Sequence, residues 1–120
     1  MHANRICAVM IHVPNPAQGL AWYERAFSNA IRQRIEGQDF ECLLVGDVHI
    51  EIVQADEKIA SGPAGSVVYW EVESITQALA HLQWLGATLY RGPMAIEDKR
   101  SMCQVQDPWG NCIGLRGNEV

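Results

Sequence analysis

Apolar and polar positions along the chain follow two periods, and the order in which they alternate occurs twice. An apolar strand-like run ends at Val13, and a helical spacing then places Leu20, Tyr23 and Phe27 on one face, with an end near Ala30. Three strand-like runs follow, at about 31–36, 40–45 and 48–54, broken by Gly37 and by Gly46-Asp47. A second apolar run ends at Val72. Behind it Ile75, Ala78, Leu79, Leu82 and Leu85 form a helical stripe that Gly86 stops. Three further runs lie at about 88–91, 101–106 and 112–116, with a turn at Asp107-Pro108-Trp109-Gly110-Asn111. Residues 55–65, rich in Ala, Gly and charge, read as a linker.

The two halves superpose residue by residue. Val13 matches Val72, Gln18 matches Gln77, Leu20 matches Leu79 and Ala21 matches Ala80, a constant offset of 59 (72 − 13). The physical roles match too. Asn15 and Ser74 stand where a helix cap belongs, because a side-chain oxygen there accepts from first-turn amides. Gln18 and Gln77, three residues on, complete a capping-box pattern, and Pro16 fills a first helical position that needs no N–H. The prediction is an α+β fold of two βαβββ modules, 1–54 and 66–120, with cupped mixed sheets. A module of this size cannot close a core alone, so the two pack together or against a second chain.

Composition narrows the function classes. The 120 residues fit one domain, and 48% hydrophobic residues suffice for a core. No stretch nears the roughly 18 apolar residues of a membrane span. The start, Met1-His2-Ala3-Asn4-Arg5, lacks a signal-peptide plan, so a cytoplasmic location is expected. A net charge of −5 without a Lys/Arg cluster argues against nucleic acid and suits a cationic or polar small ligand. Cys7, Cys42, Cys103 and Cys112 fall in strand-like runs without metal-site spacing, and read as reduced packing residues.

The βαβββ–βαβββ order, the strands ending Val-x-Asn and Val-x-Ser, the helical Trp22-Tyr23 and the Asp107-Pro108-x-Gly110-Asn111 turn together resemble the vicinal oxygen chelate superfamily. That group includes glyoxalase I, bleomycin-resistance proteins, fosfomycin-resistance enzymes and extradiol dioxygenases. The resemblance implies a small-molecule site, a homodimer, and in metal-dependent members two inward-facing ligands per module. Those positions are Ala8 and Val67 on the first strands, and Glu51 and Gly114 on the fourth. Glu51 is the one metal-binding side chain among them, whereas a divalent ion needs three or four donors. No metal or other cofactor is therefore expected.

Strand alternation gives the remaining candidates. Met10 and His12 share a face with position 8, His49 and Val53 with Glu51, Tyr69 and Glu71 with position 67, and Cys112 and Arg116 with position 114. The predicted ligand contacts are Met10, His12, His49, Glu51, Tyr69, Glu71, Cys112 and Arg116. His12 with Glu51 or Glu71 also has the makings of a general acid/base pair. Trp70 alternates away from Tyr69, toward the helices. Trp109 lies in a turn whose Asp-Pro and Gly-Asn residues are explained by turn chemistry; its surface is open to two roles, the rim of a pocket or a dimer contact, and 93–100 reads as a mobile loop over the cup. Three functions stay open: a metal-free binding protein like the bleomycin-resistance proteins, holding a drug or metabolite in a dimer cleft; a glyoxalase-type lyase or isomerase using Glu51 with His12 or His49 and a metal; and a dimerising interaction module.

Overall fold

The computed structural model describes residues 1–2, 5–34 and 40–118. The chain divides into two compact units, Met1–Ala60 and Ser61–Val120. In the first, β1 (Ala8–Val13), α1 (Pro16–Ala26), β2 (Ile31–Arg34), β3 (Glu41–Val45) and β4 (Val48–Gln54) build a sheet of order β1-β4-β3-β2. In the second, β5 (Val68–Ser74), α2 (Ile75–Trp84), β6 (Thr88–Ala95), β7 (Ser101–Gln106) and β8 (Cys112–Asn118) repeat that order as β5-β8-β7-β6. Each sheet is mixed: β1 pairs β4 and β5 pairs β8 in parallel, while the other pairings are antiparallel. The α+β reading and the duplicated βαβββ module both hold.

Helix entry is built the same way in both units. The Asn15 side chain accepts from the Gln18 amide and the Ser74 side chain from the Gln77 amide, each satisfying an orphan donor of the first turn. The α1 face then buries Leu20, Trp22, Tyr23 and Ala26, with Trp22 and Tyr23 in edge contact at 4.9 Å. Gly19 is what lets α1 lie so low on its sheet. A Cβ there would come within 2.7 Å of Ile52 and 2.8 Å of Val13. In α2, Ile75 and Leu82 are buried, and Gly86 follows the last turn with φ 101, a conformation that costs glycine little.

Several boundaries differ from the sequence reading. Helix α1 stops at Ala26 rather than near Ala30, since the Phe27 amide makes the last bond to the Tyr23 carbonyl. The end of the 31–36 run and Gly37 lie outside the described residues. Strand β6 runs on to Ala95, so the stretch read as a loop over 93–100 is in part a strand. The rest is a 3₁₀ turn at Glu97–Lys99, with Asp98 and Lys99 at φ 60 and 58. Strand β8 likewise extends beyond Arg116 to Asn118, where Ser74 is its last partner. Cys7 precedes β1 and is exposed, so it is not a packing thiol; Cys42 and Cys103 are wholly buried.

The Asp107 turn is a self-contained device. The Asp107 carboxylate accepts from the Trp109 and Asn111 amides and from the Asn111 side chain, and the Asn111 carboxamide oxygen accepts from the Gly62 amide. Trp109 is half-buried within it.

Candidate functional site

Each sheet has one face under its helix and one face turned from it. In module one Val13 and Ile52 meet α1, and Leu43, paired with Ile50, is buried with them. The opposite face carries Met10, His12, His49, Glu51 and Val53, because Met10 pairs with Glu51, His12 with Val53 and Ala8 with His49. Cys42 and Gln33 pair across β2 and β3, and the β3–β4 register continued by one residue sets Cys42 opposite Glu51. One transverse row therefore reads Gln33, Cys42, Glu51, Met10. Burial pushes the Cys42 thiol pKa up, and the Glu51 carboxylate adds to the rise. On this face Met10 and Ile31 keep 56% and 64% of their surface exposed, leaving apolar area for a ligand or partner.

The equivalent row of module two reads Arg91, Gln104, Gly114, Tyr69. Here the Tyr69 ring lies flat across Gly114, and a Cβ on Gly114 would fall 2.6 Å from it. The ring is fixed at both ends. Gln104 Nε2 donates to Tyr69 Oη at 2.7 Å, and the Arg116 guanidinium sits 4.2 Å above the ring centre. Cys112 Sγ donates to Gln104 Oε1 at 3.6 Å, and its pKa is raised by burial while Arg91 pulls it down. Glu71 is turned to another use: its carboxylate pairs with Arg100 at 3.1 Å, beside a cleft that Glu73, Asp98 and Asn118 also line.

The eight predicted contacts thus divide by module, Met10, His12, His49 and Glu51 on one face and Tyr69, Glu71, Cys112 and Arg116 on the other. Sequence reasoning passed over Arg91, Gln104 and Cys42. Gln104 was within reach, since Met102, Gln104 and Gln106 alternate with the buried Cys103 and Val105. Arg91 was not. Leu89 pairs with Val105 and Arg91 with Gln104, so an extra residue is absorbed between them, and this bulge turns Arg91 to the face that simple alternation denies it.

The family profile of the glyoxalase/bleomycin resistance protein/dioxygenase superfamily matches residues 5–115. The chain belongs to that superfamily. Among solved structures, a glyoxalase/bleomycin resistance protein/dioxygenase family enzyme from Burkholderia phytofirmans PsJN is 19% identical, with a TM-score of 0.72 over 92% of this chain and 96% of that one. A superfamily member from Sphaerobacter thermophilus DSM 20745 is 14% identical, with a TM-score of 0.73 over 96% and 98%. A glyoxalase-related enzyme from Fulvimarina pelagi is 13% identical, with a TM-score of 0.74 over 97% and 89%. At these identities the likeness concerns the fold. Comparison with curated proteins gives no match.

The superfamily pattern of metal ligands does not fit this chain. Ala8 opens β1, Val67 stands just before β5, and the Gly114 position is covered by the Tyr69 ring. Glu51 alone offers a donor. Among the described residues no three His, Cys, Asp or Glu side chains come together as a metal-binding group, so Glu51, His12 and His49 share a face without forming one. No described helix is long and apolar enough to cross a membrane.

Proposed function

We propose that this chain is a metal-free small-molecule-binding protein of the bleomycin-resistance kind, one domain spanning 1–120 that works as a cytoplasmic homodimer. It holds a drug or metabolite, chemically unchanged, in the dimer's clefts. The carrying observation is the Tyr69 ring lying over Gly114. A position that supplies a ligand in metal-dependent relatives is here filled by an aromatic wall, which suits binding rather than Lewis-acid chemistry. Met10, His12, His49 and Glu51 on one module, and Tyr69, Glu71, Cys112 and Arg116 on the other, are the proposed contacts. The exposed Met10 and Ile31 supply apolar surface for the ligand or the dimer partner.

Metal analysis decides between this reading and the glyoxalase-type one. Protein purified without chelator should carry far less than stoichiometric Ni, Zn or Fe, and its melting temperature should not rise when those ions are added. Stoichiometric metal with a clear rise would instead support a lyase or isomerase built on Glu51 with His12 or His49.

A further inference from the structure

We infer that the open face of module two binds an oxyanion head group, with Arg91 and Arg116 as counter-charges and the Tyr69 hydroxyl as donor. The inference rests on the small-molecule-binding reading and names the ligand chemistry for one of its faces. It runs against the acidic net charge of the whole chain.

The first observation is the direction of the hydrogen bonds. Cys112 donates its proton to Gln104 Oε1, and Gln104 Nε2 donates to Tyr69 Oη. Each group passes polarity one way. The phenol oxygen is thereby an acceptor within the relay, and its own O–H is left to donate outward. A relay that ends in a donor calls for an acceptor, and an anionic oxygen makes the strongest bond of that kind.

The second observation is the pairing of the cations. The chain has 14 acidic and 9 basic residues, so carboxylates are in excess. Arg5 pairs with Asp47, Arg32 with Glu24 and Glu41, and Arg100 with Glu71. Among the described residues no ion pair joins Arg91 or Arg116 to a carboxylate, although Glu71 lies opposite Arg116 in the β5–β8 register. Glu71 instead engages Arg100. Arg116 is held over the Tyr69 ring, which orients its planar fork without neutralising it. Arg91 pairs with Gln104 across β6 and β7, in the row that continues through Gly114 to Tyr69, and its charge works against the rise that burial gives the Cys112 thiol pKa. Two guanidiniums without an ion pair among the described residues, an aromatic plane and an outward hydroxyl donor suit a carboxylate or phosphate joined to a flat body.

The test uses benzoate and phenyl phosphate as probes, with benzyl alcohol as their neutral counterpart. Titrations are followed by the side-chain Nε–H NMR signals of the arginines in the intact protein. Both anions should shift the Arg91 and Arg116 signals, and added NaCl should weaken that binding. Arg91→Gln and Arg116→Gln should each lower affinity about tenfold, the size expected for a bond to a charged group. Tyr69→Phe keeps the ring and its stack with Arg116, and should lower affinity severalfold. Arg5→Gln, a surface control in module one, should change nothing. Benzyl alcohol binding here as tightly as benzoate overturns the oxyanion inference and leaves the binding-protein reading standing. Anions that move neither arginine signal also overturn it. Stoichiometric metal overturns the binding-protein reading, while the arginine shifts still report on the oxyanion site.

Discussion

The two modules share a backbone plan and carry opposite chemistry on equivalent rows. Gln33, Cys42, Glu51 and Met10 cross the first sheet where Arg91, Gln104, Gly114 and Tyr69 cross the second. One row centres on a carboxylate beside a buried thiol. The other centres on a glycine under a phenol, flanked by guanidiniums. The difference shows how size on adjacent strands is traded. Where β5 carries a tyrosine, its partner on β8 is a glycine, and where β1 carries a flexible methionine, its partner on β4 is a glutamate. The frame is the same in both modules, and the residues at two paired positions differ together, so the two faces present different chemistry.

The largest break in this parallel lies one turn of the pleat further along. A Cβ on Gly117 would collide with the Val72 carbonyl oxygen, at a register shift between Val72 and Ser74. Module one has no such squeeze, because Val13 pairs with Gln54, whose side chain is exposed. Backbone cannot swing aside as a side chain does. Gly117→Ala should therefore cost about 3 kcal/mol in urea denaturation, and Gln54→Ala within about 0.5 kcal/mol. Equal, small losses would show that the β5–β8 bulge relaxes freely and that the modules are more alike than their sequences.

A smaller effect is expected at Gly114. The clash there is with the Tyr69 ring, which can move, though only by giving up Gln104 and Arg116. Gly114→Ala should cost about 1–2 kcal/mol. In a Tyr69→Ala background much of that loss should vanish, because the two changes share one contact. Additive losses would mean that the ring does not rest on Gly114, and the carrying observation for the proposed function would go with it.

Much of the frame was legible in the sequence. The caps at Asn15 and Ser74, the α2 stripe and the bounds of β4 and β7 all follow from local rules that tertiary context does not override. The equivalence of Glu51 with Gly114 was legible too from the fourth-strand pattern, and the registers Met10–Glu51 and Tyr69–Gly114 bear it out. What fills Gly114 was not. That depends on a cross-strand partner 45 residues away (114 − 69), chosen by the β5–β8 register. Arg91 was hidden for a different reason: a bulge reverses alternation, and no local residue type announces it.

The smallest expected effect is electrostatic and tests the acidic row alone. Cys42, Cys103 and Cys112 all have thiol pKa values raised above 9.0, in each case first by burial. A raised thiol pKa means that the folded state favours the neutral form. The contribution is intact below the unfolded value near pH 9 and is lost as pH climbs through the folded value. Stability should accordingly fall above pH 9, and part of that fall should disappear in Cys42→Ala. Cys42 differs from Cys103 in having Glu51 as a second cause. Glu51→Gln should then lower the Cys42 pKa modestly, because burial remains, and leave Cys103 where it is. Thiolate ultraviolet absorbance, read with the other cysteines replaced in turn, measures both. A Cys42 titration indifferent to Glu51→Gln would break the row, for it would mean that the β3–β4 register does not carry Glu51 opposite the thiol.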